Sequence, residues 1–98
     1  MNMQAIMRQA QKLQSDITKA KEEINNTVYE SSSSIVTVKM KGDRTLVDVK
    51  INSDSLDQDD IEMLQDMILI AINDVNKKID EDTERKLGKY TQGMPGLF

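Results

Sequence analysis

Val36-Thr37-Val38-Lys39-Met40-Lys41-Gly42-Asp43-Arg44-Thr45-Leu46-Val47-Asp48-Val49-Lys50-Ile51 is the stretch that decides the fold. Val36, Val38 and Met40 alternate with Thr37, Lys39 and Lys41. That period of two is the mark of a strand with one buried face. Gly42-Asp43 reads as a hairpin turn, with the glycine free to take positive φ. Val47, Val49 and Ile51 then alternate with Leu46, Asp48 and Lys50 as the returning strand, which Asn52-Ser53 ends.

Just upstream, Thr27-Val28-Tyr29-Glu30 is a candidate for a third short strand. The four serines 31–34 read as a low-complexity link. Further back, residues 3–26 form a helix in which Met3, Ile6, Ala10, Leu13, Ile17, Ala20 and Ile24 step alternately by three and four, a continuous a/d seam. Arg8, Lys12, Ser15 and Lys19 form a basic and polar stripe on the opposite side. At ~1.5 Å per residue the helix is roughly 36 Å long, too long for a domain of this size to bury, so part of it is expected to project. Asn25-Asn26 breaks the pattern.

Downstream, residues 54–60 lead into a second long helix, with Asp59 and Glu62 spaced as a capping box. Its main stripe is Ile61, Leu64, Ile68, Ala71/Ile72, Val75 and Ile79, with Met63, Met67 and Ile70 beside it. Met67-Ile68-Leu69-Ile70-Ala71-Ile72 are six apolar residues in a row, so no face there is left for water. One small sheet does not cover that circumference. A second subunit is expected to do so, with Met63, Met67, Ile68, Ile70 and Ile72 as the dimer contacts. The helix is expected to end near Leu87-Gly88, and residues 93–98 read as a loose tail. The order is helix, three strands, helix, in a single α+β domain spanning residues 1–98, with its sheet in 27–52.

Composition narrows the chemistry. The 98 residues include no cysteine and no histidine, which removes disulfides, the usual zinc sites and the Ser-His and Cys-His nucleophilic pairs. No spacing recommends carboxylate or lysine catalysis, so an enzyme, a cofactor and a small-molecule substrate are not expected. Asp54, Asp57, Asp59 and Asp60 lack the glycine and closing glutamate of an EF-hand loop. Aspartates before a first helical turn are what the helix dipole favours, so no metal is expected there. With Tyr29, Tyr90 and Phe98 as the whole aromatic content, the core must be aliphatic and methionine-rich. No apolar run reaches transmembrane length, and Arg8 and Lys12 interrupt any signal-like start, so a soluble cytosolic protein without membrane partners is expected.

The net charge is −4. Residues 1–30 balance four bases against four acids, residues 35–52 are net +2, and residues 53–87 hold eleven acids against four bases. The acidity therefore belongs to the second helix, and the first helix is free to meet a polyanion. Arg8 has no acid three or four residues away, while Lys12 faces Asp16 and Lys19 faces Glu23 in the weaker Lys-first order. Gln4 and Gln11 flank the stripe and can donate to phosphate or base edges. The competing reading is an ordinary solvated helix back. Lys39, Lys41, Arg44 and Lys50 can line a DNA-facing cleft, but they read better as the charges that guard an exposed sheet edge. Arg85 and Lys86 each follow an acid, Glu81 and Asp82, by four residues and are largely neutralised. Lys89 has no such acid. With Gly88, Tyr90 and Thr91 it makes a second candidate patch, or simply a cation at a helix C-terminus.

Several segments together resemble the YbaB/EbfC family of bacterial nucleoid-associated proteins. They are Met7-Arg8-Gln9-Ala10-Gln11-Lys12-Leu13-Gln14, the Gly42 hairpin, Glu62-Met63-Leu64-Gln65-Asp66-Met67-Ile68, Ala71-Ile72-Asn73-Asp74 and Leu87-Gly88-Lys89-Tyr90-Thr91-Gln92-Gly93. The resemblance covers nearly the whole chain in order. It implies an α-β-β-β-α fold and a homodimer whose sheets join and whose helices project like the arms of tweezers. It also implies duplex DNA binding in the nucleoid of a bacterial cytoplasm, with little sequence selectivity and no catalysis. On that reading Arg8, Lys12, Lys19, Gln4, Gln11, Lys89 and Thr91 are the DNA contacts. The alternative is a dimeric adaptor that uses its arms to dock proteins.

Overall fold

The computed structural model describes residues 2–91. The element order is α1 (Met3–Asn26), β1 (Val28–Ser33), β2 (Val36–Lys41), β3 (Leu46–Ile51) and α2 (Ile61–Thr91), with one 3₁₀ turn, Gln58–Asp60, ahead of α2. This is the expected α-β-β-β-α order, with an antiparallel sheet ordered β1-β2-β3. The tail at residues 93–98 lies outside the described residues.

The serines belong to the sheet. Residues 31–33 continue β1, and a two-residue turn follows in which Ser34 takes a positive φ of 52°. The register explains why serine suits this strand. Tyr29, Ser31 and Ser33 lie opposite Met40, Val38 and Val36, so they share the face that α2 covers. Ser31 is fully buried there, small enough to let α2 lie close.

α2 crosses β1 and β2, and makes no comparable packing on β3. Ala71, Val75 and Ile79, one turn apart, meet Val36, Val38 and Met40 to form the core. Tyr29, Ile35, Leu64, Met67, Ile68 and Ile72 pack half-buried around it. The inner face of β3 carries Leu46, Val49 and Ile51 opposite Met40, Val38 and Val36, yet all three are exposed. Alternation alone assigns Leu46 to the polar face. A bulge at Lys39/Met40 shifts the register and pairs Leu46 with Met40 instead. The outer face is polar, with Glu30, Lys39 and Asp48 in one row across the three strands and Ser32, Thr37 and Lys50 in the next.

Gly42 has a different role from the expected one. The residue with left-handed backbone in this hairpin is Arg44, at φ 75°. Gly42 is needed because α1 ends against it: a Cβ there would stand 1.9 Å from the Ile24 carbonyl oxygen. The Gly42 N–H donates to the Thr27 carbonyl at 3.0 Å. Arg44 reaches across to α2, donating to the Asn76 carbonyl at 3.1 Å and to its side chain, and pairs with Asp80. The capping box falls two residues earlier than expected, with the Asp60 carboxylate accepting the Asp57 N–H at 2.9 Å.

The first-helix seam is covered only over its second half. Ile17 and Ile24 are buried, and Leu13 and Ala20 are half-buried against the C-terminal part of α2, where Leu87 is buried. Met3, Ile6 and Ala10 are exposed, Met3 by 70%. The N-terminal half of α1 is thus a projecting arm, started by Asn2, whose side chain accepts the Gln4 N–H at 3.0 Å. The chain measures 72 × 21 × 14 Å with a radius of gyration of 19.5 Å, against roughly 13 Å for a compact domain of this length.

Replacing Gly42 with Ala forces α1 away from the hairpin and is expected to lower the unfolding free energy by about 1–3 kcal/mol, measured by urea denaturation followed by circular dichroism. An unchanged midpoint would contradict the close approach.

Candidate nucleic-acid interface

Arg8, Lys12 and Lys19, with Gln4 and Gln11, are all exposed along α1. α2 packs against the second half of the seam, and Arg8, Lys12, Ser15 and Lys19 remain exposed. The neutralisation expected from local acids does not form: among the described residues, Arg8, Lys12, Lys19 and Lys89 make no ion pair. Glu23, the expected partner of Lys19, instead accepts Lys86 of α2 at 3.3 Å. Lys12 and Lys19 are thus, like Arg8, without an ion pair among the described residues.

The structure brings together two patches that are far apart in sequence. α1 and the C-terminal part of α2 run antiparallel and leave between them an open cleft of about 410 Å³. Lys19 lines it from α1, and Arg85, Lys86 and Lys89 from α2, against Asp16 and Glu23. Lys89 lies over the Tyr90 ring, 5.0 Å from its centre. Such a ring steadies the ammonium without neutralising it. α2 continues unbroken through Gly88, so Lys89 rides on a helix rather than on a terminal loop. Thr91 is the last residue of α2, and its side chain lies outside the described residues.

The hairpin bases separate from this site. Lys39 pairs with Glu30 at 4.0 Å on the outer sheet face, and Arg44 is bound to Asp80 and Asn76. Arg85 pairs with Asp82 rather than with Glu81. Among the described residues no cluster of carboxylates has metal-binding geometry, and no helix is long and apolar enough to cross a membrane.

Sequence reasoning missed the group that joins the cleft to the sheet. Asp82 is only 8% exposed. Its carboxylate accepts the Tyr29 hydroxyl at 2.5 Å and Lys86 at 3.2 Å. The Tyr29 hydroxyl, then Lys86 and Arg85, hold the Asp82 carboxyl below its ordinary 3.8 against the cost of burial. Burial and the neighbouring carboxylate push the Tyr29 phenol up to about 12. Hydrogen bonds to Asp82 and Glu23 raise Lys86. A signal was present: the apolar stripe Ala71, Val75, Ile79 meets Asp82 and then Lys86 where α2 leaves the sheet.

The YbaB/EbfC DNA-binding family model matches residues 1–94. A nucleoid-associated protein of Lactococcus lactis subsp. cremoris (strain MG1363) is 50% identical over 97 residues, covering 97% of this chain and 98% of that protein. One from Ligilactobacillus salivarius (strain UCC118) is 44% identical over 99 residues, covering 99% and 95%. The crystal structure of the uncharacterized protein HP0035 from Helicobacter pylori superposes with a TM-score of 0.70 at 26% identity, covering 87% of this chain and 91% of that one. With its helix–hairpin–helix order, its projecting basic arm and a match that runs nearly end to end, this chain belongs to the YbaB/EbfC DNA-binding family.

Proposed function

We propose that this protein binds duplex DNA as a homodimer, gripping the phosphate backbone with the outer faces of its α1 arms and contributing to nucleoid organisation in the bacterial cytoplasm. The observation that carries the reading is that Arg8, Lys12, Lys19 and Lys89 are exposed and, among the described residues, make no ion pair, on two helices that share one cleft. Family membership and the relatives' name, nucleoid-associated protein, support the same reading. Contacts of this kind read phosphate rather than base edges, so little sequence selectivity is expected. The acidic 3₁₀ turn and first half of α2, with Asp59, Asp60, Glu62 and Asp66, would repel DNA from that end and confine it to the arms.

The dimer has its own support. The chain exposes 7286 Å², where a compact monomer of this mass would expose roughly 5,700 Å². Leu46, Val49 and Ile51 on β3 lie beside an unpaired strand edge, a template for another strand. Among the α2 residues expected at the interface, Met63 and Ile70 are exposed, together with Leu69. Met67, Ile68 and Ile72 already pack half-buried on this chain's own sheet. The contact surface we propose is therefore β3 with Met63, Leu69 and Ile70. The exposed Met3 and Ile6 at the arm tip favour the rival reading, an adaptor that docks proteins.

Two experiments decide. Titration of a fluorescent duplex should give a log K that falls with log salt at a slope of roughly −4 to −5, from four to six phosphate contacts per dimer. Arg8→Ala/Lys12→Ala should weaken binding at least tenfold and flatten that slope. No binding at low salt, or binding indifferent to the double substitution, would overturn the DNA reading in favour of the adaptor. Separately, Val49→Lys should give a monomer in sedimentation at micromolar concentration where the unsubstituted protein is a dimer. A stable dimer in the variant would remove β3 from the interface.

A further inference from the structure

Four residues form a continuous polar chain across three elements. Glu23 on α1 accepts Lys86 of α2 at 3.3 Å, and Lys86 donates to Asp82 at 3.2 Å. Asp82 accepts the hydroxyl of Tyr29 on β1 at 2.5 Å. Arg85 closes on the other oxygen of Asp82. Asp82 lies at the point where α2 stops packing on the sheet and starts packing on α1. The opposite side of α1 is held differently, by the backbone contact of Ile24 with Gly42. So the base of the arm has one fixed fulcrum at the hairpin and one charged tie across the helix from it.

We propose that Asp82 is a positioning residue for the α1 arm: through Lys86 and Glu23, and anchored by Tyr29, it fixes the arm's angle to the sheet and thereby the placing of Arg8 and Lys12. The inference rests on the DNA-binding reading for its consequence, but its geometry can be tested alone. Two properties suit Asp82 to this role better than an apolar residue. A carboxylate with its side chain 10% exposed must keep its partners, because an unpaired buried charge is costly. Its hydrogen bonds also have direction, whereas the Ile17, Ile24 and Leu87 contacts allow α1 to roll on α2.

The tie has a pH range. The charged and titratable groups facing it are Glu23, Asp16 and Lys19 from α1, Tyr29 from β1, and Lys78, Glu81, Arg85, Lys86, Lys89 and Tyr90 from α2. Asp82, with its pKa lowered, keeps its charge until pH falls below the ordinary 3.8. Tyr29 and Lys86, with theirs raised, keep their protons beyond the ordinary 10.0 and 10.5. The Tyr29–Asp82–Lys86 part of the tie is therefore whole between these limits, and is lost as pH falls through the Asp82 pKa or rises through those of Tyr29 and Lys86.

The chain has no cysteine, so spin labels attached at Gln4→Cys and Thr45→Cys report the distance from arm to hairpin without interference. Labelled protein is diluted with unlabelled protein so that each dimer holds one labelled copy. The unsubstituted background should give one narrow distance distribution, unchanged between about pH 5 and pH 9. Glu23→Ala cuts the tie at its exposed end, where folding is not at stake, and Tyr29→Phe cuts it at the sheet while keeping the ring. Each should broaden the distribution about twofold and weaken duplex binding roughly two- to tenfold. Lys86→Met, which removes the middle link, should match or exceed both. Narrow, unshifted distributions in Glu23→Ala and Tyr29→Phe would overturn the proposal. If the unsubstituted protein failed to bind DNA, the functional reading would fall while the distances still decided the positioning role.

Discussion

A single α-helix is about 10–12 Å across, and strands in a sheet lie about 4.8 Å apart, so one helix covers two strands and not three. That constraint governs this molecule. α2 lies over β1 and β2, with Ala71, Val75 and Ile79 fully buried on Val36, Val38 and Met40. It leaves β3 with an apolar inner face that no described residue of its own chain covers. A 31-residue helix is also far longer than a six-residue strand, so α2 runs off the sheet at both ends. One overhang carries Glu62 with the exposed Met63, and Leu69 and Ile70 are exposed where α2 still packs on the sheet through Ile68 and Ala71. The other becomes the seat for α1. The open flank and the arm follow from the same mismatch between two helices and too small a sheet.

The arm gains its function from what does not touch it. Because α2 covers only the second half of the seam, Arg8 and Lys12 on the arm and Lys19 at the cleft stay exposed and, among the described residues, make no ion pair, which suits a phosphate-binding surface. Some of the acids are paired elsewhere: Asp80 on Arg44, Asp74 on Lys78, Glu23 and Asp82 on Lys86. A chain with net charge −4 can therefore still present a basic face, since its acids are grouped along α2.

The elements of the fold were legible in the sequence, because period two and period 3.6 are strong signals over these lengths. Residues 3–26 matched α1 from end to end, and the hairpin lay where the alternation put it. Local signals failed where a distant element sets the local structure. Residues 31–33 look like a linker by composition but pair with β2, since serine is what fits beneath α2. Gly42 looks like a turn glycine, yet its need comes from a carbonyl eighteen positions earlier. Leu46 changes face through a bulge that no alternation reveals. At the site, the exposure of Arg8, Lys12 and Lys19 was readable. Their freedom from Asp16 and Glu23 was not, because Lys86 arrives from α2 to take Glu23. The shared cleft of Lys19 with Lys89 depends on the antiparallel packing of two helix halves, which a linear pattern does not encode.

The central claim is that β3 finds in a second copy the cover that α2 cannot give it. Hydrogen exchange of the β3 backbone amides, followed as the protein is diluted, tests it most directly. The account predicts that the amides of residues 46–51 are protected nearly as well as those of β2 at high concentration, and that their protection falls on dilution while that of β2 outlasts it. Rapid exchange along β3 at every concentration would contradict it.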